Sequence, residues 1–226
     1  MTEKEIKKYI DRLNNKKGQE SIFIRPISET VEIGKVWCEL PKINDSISNS
    51  SSYRFFFIKN NLGIYVSAVL DMNSDLHWYV LPKERKKGML TTALKETILP
   101  YIFYEREEQR ITIKLEIGEE NYANSKSVAL KLGFNPTNEQ QTEFLLRKTE
   151  FDWSCENLNE QNSQIGNERI QVLRKRVNYA SQILRKISDE LLMAYEDDNE
   201  LLELSKEVKS HTWKIEDLMW ENEKSE

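Results

Sequence analysis

The chain has 226 residues, of which 38% are hydrophobic and 31% charged, and its formal net charge is −5 at pH 7. This charge argues against non-specific binding to DNA or RNA, and no apolar run approaches the roughly 18–20 residues of a membrane-spanning helix. Three features favour a soluble, cytoplasmic protein without a metal site. They are a polar N-terminus without the apolar core of a signal peptide, two isolated cysteines, and the lack of CxxC or HExxH spacing.

The first four segments are predicted from their polarity patterns. Residues 1–20 predict a short charged helix with one apolar side. The stretch "SIFIRPI" at 21–27 alternates apolar and polar residues and predicts a strand that stops at its proline. Residues 28–40 open on Ser28 and predict a capped, amphipathic helix. The serine- and asparagine-rich residues 41–52 predict a mobile loop.

A hairpin signature follows this loop. The runs 53–60 and 63–71 are rich in aromatic and β-branched residues and flank a turn that contains Gly63, which supplies the positive φ of a tight turn. A second turn leads into "LHWYVL" at 76–81. These three runs therefore predict an antiparallel meander.

The next elements alternate between helix and strand. Residues 89–105 have apolar side chains at helical spacing, whereas 110–118 alternate strictly and predict a strand. Residues 124–134 predict a short helix that stops at Gly133, and 142–149 predict a closing strand. The whole set predicts an α+β domain, similar to an α/β sandwich.

The tail has a different pattern. Residues 151–167 read as a polar linker, and 168–226 predict two helices with heptad seams joined by a short turn, hence an antiparallel hairpin. The predicted seam positions are Ile170, Leu173, Val177, Ala180, Leu184, Ile187 and Leu191 in the first helix, and Leu201, Leu204, Val208, His211, Ile215 and Leu218 in the second. Trp213 and Trp220 are candidate anchors on the core, on a second copy or on a protein partner.

The strand-to-helix loop in "YVLPKERKKGML" at 79–90 is the main candidate for chemistry. The first turn of a helix has unpaired backbone N–H groups and the positive end of the helix dipole, and Gly88 permits close approach of a phosphate. Three basic residues precede this glycine. A solvated basic loop is the alternative interpretation, and the GxxxxGK[ST] pattern of a P-loop is absent.

This loop resembles the central motif of the GNAT (Gcn5-related N-acetyltransferase) superfamily, Arg/Gln-x-x-Gly-x-Gly/Ala, in the form Arg85-Lys86-Lys87-Gly88-Met89-Leu90. Two more blocks, "FIRPIS" and "EENYANSKSVALKLGF", are similar to that family's first strand and to its segment after the fifth strand. The resemblance covers residues 21–150. It implies a mixed, mainly antiparallel central sheet flanked by helices, with acetyl-CoA as co-substrate.

The resemblance also implies a set of cofactor-binding residues. Backbone groups of the strand end would pair with the pantetheine arm, those of the loop would hold the pyrophosphate, and polar residues downstream would lie near the thioester. These positions are Tyr79, Val80, Leu81, Arg85, Lys86, Lys87, Gly88, Met89, Leu90, Asn121, Asn124 and Ser125. Asn124 and Ser125 are equally suited to cap the following helix.

Two positions depart from the family pattern. Leu90 replaces the motif's last Gly/Ala, so its side chain must point into the core if the loop is to stay open. Ala129 stands where many members have a tyrosine general acid, which leaves Tyr122 as a candidate acid. His77 and Asp75 are candidate bases, although a packed strand histidine and a turn aspartate are the simpler interpretations.

The expected function is therefore transfer of an acetyl group from acetyl-CoA to a primary amine of a small molecule, peptide or protein, by direct attack in a ternary complex. The alternative is a catalytically weak or inactive GNAT-like module that acts through its C-terminal hairpin.

Overall fold

The computed structural model describes residues 1–18, 20–42, 52–159, 165–196 and 199–223. The chain forms two compact units, Met1–Ser163 and Gln164–Glu226. The loop predicted over residues 41–52 falls mostly outside the described residues. Within them, no helix is both long and apolar enough to cross a membrane.

The first unit is a mixed α+β structure built on two antiparallel sheets. The larger sheet contains, in spatial order, β1 Ile22–Pro26, β2 Val31–Val36, β3 Tyr53–Lys59, β4 Tyr65–Asp71 and β5 Leu76–Val80. The smaller sheet contains β6 Glu108–Thr112, β7 Asn135–Pro136 and β8 Glu143–Arg147, in the order β6-β8-β7. The predicted meander of β3, β4 and β5 is confirmed, and Gly63 has the expected positive φ of 74°.

Helices cover both faces of the larger sheet. Their bounds are α1 Glu3–Asn14, α2 Met89–Ala93, α3 Leu99–Glu105 and α4 Glu119–Lys131. Because side chains alternate along a strand, Phe55 and Phe57 pack with α1 while Phe56 packs on the opposite side with α2 and α3. All three phenylalanines are fully buried. The N-terminal helix is thus part of the packed core of this unit.

The prediction of a helix over residues 28–40 is wrong, since this segment forms β2 between β1 and β3. Ser28 does accept a hydrogen bond from the N–H of Val31 at 3.2 Å, as a helix cap would, but the bond closes a tight turn. The β-branched residues that follow favour a strand, and Gly34 disfavours a helix. A Cβ at Gly34 would lie 2.9 Å from the ring of Phe57, so the sheet itself requires this glycine.

The helix predicted over 89–105 is present but contains a π-helical turn, Leu94–Ile98, between α2 and α3. The turn has an identifiable cause in Pro100, which has no N–H to donate to the carbonyl of Glu96. The N–H of Asn157 donates to that carbonyl instead, at 2.7 Å.

The region predicted as the start of the linker also packs on this core. Phe151 is buried, and its ring lies 5.3 Å from that of Phe103 and 5.2 Å from that of Trp153, measured between centroids. The strand predicted over 110–118 is shorter than expected, because residues Leu115–Ile117 form a 3-10 turn.

The second unit is a helical pair, α5 Asn167–Tyr195 and α6 Leu201–Glu223. Arg174 pairs with Glu216 at 2.9 Å, and the hydroxyl of Ser181 donates to the carbonyl of Ser205 at 2.7 Å, so the helices are antiparallel as predicted. The contact positions differ in part from the predicted seam: Ile170, a predicted seam residue, is buried, but so are Ser181, Ser188 and Ser205, which were not predicted. Small side chains permit the two backbones to approach closely.

Candidate functional site

The candidate site begins where β5 and β6 part. Asp75 forms a parallel bridge with Arg110, and its Oδ1 accepts hydrogen bonds from the N–H groups of Leu76 and Thr112, each at 2.9 Å. Beyond this bridge, the described residues show no further pairing between the two strands. Asp75 therefore ties the strands together at one end, and the edge of β5 stays open at the other. Burial raises the pKa of its carboxyl group.

A cleft of about 370 Å³ lies along this open edge. The end of β5 and the loop that follows it form one wall, and α4 contributes Asn121, Asn124 and Ser125 to the lining. Glu3, the first residue of α1, also lines the cleft. The structure thus brings the two sequence blocks, residues 79–90 and the α4 segment, around a single cavity.

The backbone of β5 presents alternate residues to the cleft. The N–H of Leu81 donates to the carbonyl of Val66 on β4 at 2.9 Å, and Tyr79 is paired with Ala68. Because polar groups alternate in direction along an antiparallel strand, Trp78 and Val80 direct their N–H and C=O groups away from β4. Of the three strand residues predicted to contact the cofactor through their backbone, Val80 is therefore the one whose N–H and C=O groups face the cleft.

Trp78 is a backbone contributor that sequence reasoning missed. The two-residue alternation was visible, but its phase depends on the register of β5 with β4, which the sequence does not specify. The carbonyl of Val80 accepts a hydrogen bond from Nε of Arg85 at 3.2 Å. Arg85 also donates from Nη1 to Oδ1 of Asn121 at 3.2 Å, and so connects the strand end to α4.

The loop between β5 and α2 carries a run of backbone donors that have no acceptor among the residues the structure describes. A 3-10 turn, Pro82–Glu84, leads to Lys86 and Gly88, which have positive φ angles of 61° and 79°. No acceptor within the described residues bonds the N–H groups of residues 86–91, and the first helical bond runs from Thr92 to Gly88. Successive free N–H groups at a helix start form a concavity that binds anions.

Leu90 leaves this concavity open. Its side chain is 8% exposed and belongs to the hydrophobic core that includes Phe56 and Ile98. A Cβ at Gly88 would meet no atom within 4 Å, so the space in front of the loop is free. The Leu90 side chain therefore packs into the core and does not cover the N–H groups of the loop.

The lysines of the loop are partly neutralised by neighbouring carboxylates. Lys86 pairs with Glu120 at 3.0 Å, and Lys87 pairs with Glu84 at 2.9 Å. The hydrogen bond from Lys86 lowers the pKa of Glu120. These pairs are exposed and weak, so an anion at the loop depends chiefly on the backbone donors.

Asn124 and Ser125 do not cap a helix. The predicted start at residue 124 is wrong, because α4 begins at Glu119 after Gly118, whose φ is 89°. The acidic residues of the first turn complement the helix dipole. Asn124 and Ser125 thus lie within the helix, one turn after Asn121, and all three line the cleft.

Tyr122 lies outside the cleft lining. Its hydroxyl donates to the carbonyl of Gln141 at 2.9 Å, and its ring packs against the core. Ala129, which the sequence resemblance aligned with a tyrosine, is fully buried.

His77 faces the side of β5 opposite to Trp78. Its Nε2 is buried and has no hydrogen-bond partner among the described residues, and burial lowers the pKa of the imidazole. The Glu3 carboxylate acts in the opposite direction and favours the charged ring. Glu3 was not predicted, because a glutamate in the first turn of a charged helix carries no sequence signal for a cleft.

Comparisons of the chain with protein-family models, curated proteins and solved structures gave no match. The geometry alone therefore defines what the site can do. It offers an anion-binding turn at one end, an open strand edge beside it and a polar helix face opposite. Such a cleft suits an extended ligand with a phosphate group at one end and an amide-containing arm.

Proposed function

We propose that this protein is a cytoplasmic N-acetyltransferase of the GNAT type, which transfers an acetyl group from acetyl-CoA to a primary amine of a small molecule, peptide or protein. The observation that carries the proposal is the run of N–H groups over residues 86–91 that no acceptor in the described part of the chain bonds, at the start of a helix beside the open edge of β5. The mixed α+β core and its largely antiparallel sheets are compatible with a GNAT-type fold.

Acetyl-CoA fits the donors and acceptors of this cleft. The free N–H groups of the loop suit the pyrophosphate, because they need no side-chain charge to bind an anion. The backbone groups of Trp78 and Val80 suit the amides of the pantetheine arm, in the manner of strand addition. Asn121 and Ser125 supply side-chain polar groups on the facing helix.

The chemistry is a direct transfer. Acetyl-CoA supplies an acetyl group activated as a thioester; the amine nitrogen forms a bond to the carbonyl carbon, the C–S bond breaks, and the amine gives up a proton as the thiol leaves. Two carboxylates line the cleft, and Glu84 already pairs with Lys87. Glu3 makes no ion pair within the described residues, so we assign it as the group that accepts the proton of the amine.

A stability titration tests binding. Acetyl-CoA at 100 times its dissociation constant should raise the free energy of unfolding by about 2.7 kcal/mol, because it binds only the folded protein. The matched control is S-acetyl-N-acetylcysteamine, which keeps the thioester but lacks the pyrophosphate, and it should give no shift at equal concentration. Absence of a shift at millimolar acetyl-CoA would refute the proposal.

A catalytically inactive CoA-binding module is the second candidate. It is favoured by Tyr122, whose hydroxyl bonds a loop carbonyl, and by His77, which lies on the face of β5 away from Trp78. Incubation with acetyl-CoA and a mixture of polyamines and lysine-containing peptides separates the two candidates. Acetylated products detected by mass spectrometry support the enzyme, whereas binding without product supports the module.

A further inference from the structure

The helical pair presents an apolar surface in addition to its internal contact. On α5, the side chains of Ile183 and Ile187 are 38% and 41% exposed, and on α6 those of Leu204 and Leu218 are 43% and 48% exposed. We define the apolar face by six apolar residues, Leu173, Ala180, Ile183, Ile187, Leu204 and Leu218, together with His211, which lies between the last two on α6.

These residues lie on the same side of the pair. The internal contact follows heptad steps of four and three residues, through Ser181 and Ser188 on α5 and through Ser205 on α6. In each heptad, a residue of the apolar face directly precedes one of the two contact positions. These residues are Leu173, Ala180 and Ile187 on α5, and Leu204, His211 and Leu218 on α6. In an antiparallel pair, the positions on that flank of the two helices are neighbours, so the two rows form one continuous face.

The internal contact of the pair leaves most of these residues exposed. Within the described residues, the buried side chains of the two helices are Ile170, Ser181, Ser188 and Ser205, with exposures of 2%, 5%, 9% and 3%, and none of them belongs to the apolar face. A two-stranded coil needs apolar residues at two positions per heptad, whereas a helix inside a bundle has them at three. Both α5 and α6 have the third row, and the two rows meet on one side. This is the sequence pattern of half a four-helix bundle.

We propose that the apolar face binds the same face of a second copy of this chain, and that the two hairpins form a four-helix bundle. The charges that border the face favour this occupant. Arg176 and Glu190 follow one edge on α5, and Glu207 and Lys214 follow the other edge on α6. Each row contains both signs, so two identical faces related by a twofold axis can pair opposite charges. The proposal does not depend on acetyl-CoA binding.

Analytical ultracentrifugation of the full-length chain is the test. The wild-type protein should sediment as two chains, with a mass twice 26.8 kDa. The double substitution Ile187→Lys and Leu204→Lys places charges on the face of each copy and should raise the dimer dissociation constant by on the order of 100-fold. A variant with Ile187→Ala and Leu204→Ala should give a smaller increase and retain full helicity by circular dichroism.

The matched control is Trp213→Lys. Trp213 and Trp220 are 66% and 58% exposed but lie on the flank of α6 away from Leu204 and Leu218, so this substitution should leave the two-chain mass unchanged. A wild-type protein that stays monomeric up to 100 µM would overturn the proposal, and so would a dimer dissociated by Trp213→Lys but not by the alanine or lysine pair. Either result would mean that a different surface or a different partner is used.

Discussion

Replacement of Gly88 by alanine separates the backbone site from the stability of the fold. Gly88 has a φ of 79° and caps α2 without a side-chain hydrogen bond. Alanine in this left-handed conformation costs about 1–2 kcal/mol, of which about 0.4–1 kcal/mol is offset by a less flexible unfolded chain. Because an added Cβ would meet no atom within 4 Å, no steric cost is added. The net loss of stability should be about 1 kcal/mol.

The effect on acetyl-CoA binding should be larger. Gly88 lines the cleft, so the new methyl group projects into the space that a phosphate needs to reach the free N–H groups. Loss of one charge-assisted hydrogen bond, worth about 1.5–3 kcal/mol, weakens binding about 10- to 150-fold. Isothermal titration calorimetry measures the dissociation constant, and urea denaturation measures the stability.

Gly63 provides the matched control. Its φ is 74°, a Cβ there would also meet no atom within 4 Å, and it lies in the turn between β3 and β4. Gly63→Ala should therefore lose the same stability as Gly88→Ala but bind acetyl-CoA as the wild type does. Equal affinities for Gly88→Ala and wild type, or equal weakening by both substitutions, would refute the assignment of the loop.

Substitutions at three further positions test the remaining candidate residues. Asp75→Ala should lower the free energy of unfolding, measured by urea denaturation, by about 1–3 kcal/mol, because two backbone N–H groups lose their acceptor. Asp75→Asn keeps an acceptor and should retain the acetyl-transfer rate. A lost rate in Asp75→Asn would make this residue a base. Tyr122→Phe should keep its transfer rate within about threefold and lose about 1 kcal/mol, since the hydroxyl bonds only loop carbonyls; a large drop in rate would make it the acid. Burial lowers the pKa of His77 in the folded protein, so the unfolded chain takes up a proton first as the pH falls below about 6.5. The free energy of unfolding should therefore fall by at most about 1.4 kcal/mol per pH unit until the pKa of the folded protein is reached. His77→Gln should flatten that slope below about pH 6.5, and an unchanged slope would contradict the burial of the ring.

The elements with a strong local signal were predicted well. The meander follows from alternating β-branched and aromatic runs and from Gly63, whose backbone conformation few other residues adopt. The helix after the loop follows from its apolar spacing. In contrast, residues 28–40 begin with a serine that bonds the N–H three residues later, which is a feature of both a helix cap and a tight turn. The neighbouring strands β1 and β3 decide between them, and their pairing is not a local property.

The candidate site was predicted in part for the same reason. Gly88 and the order of the elements indicated the loop, because a glycine that needs a positive φ is visible in the sequence. The phase of β5 was not visible, so Trp78 was missed. Glu3 lies far from the loop in sequence and enters the cleft only because α1 packs on the sheet through Ile6 and Ile10.

Leu90 illustrates why a site made of backbone groups tolerates changes in side chain. The loop needs one glycine with a positive φ, a helix that begins immediately after it, and a residue at position 90 that leaves the N–H groups uncovered. A small residue meets the last condition by being small, and Leu90 meets it by packing into the core. Leu90 therefore affects the packing beneath the loop, whereas the donors above it are the same N–H groups that a glycine or an alanine would provide.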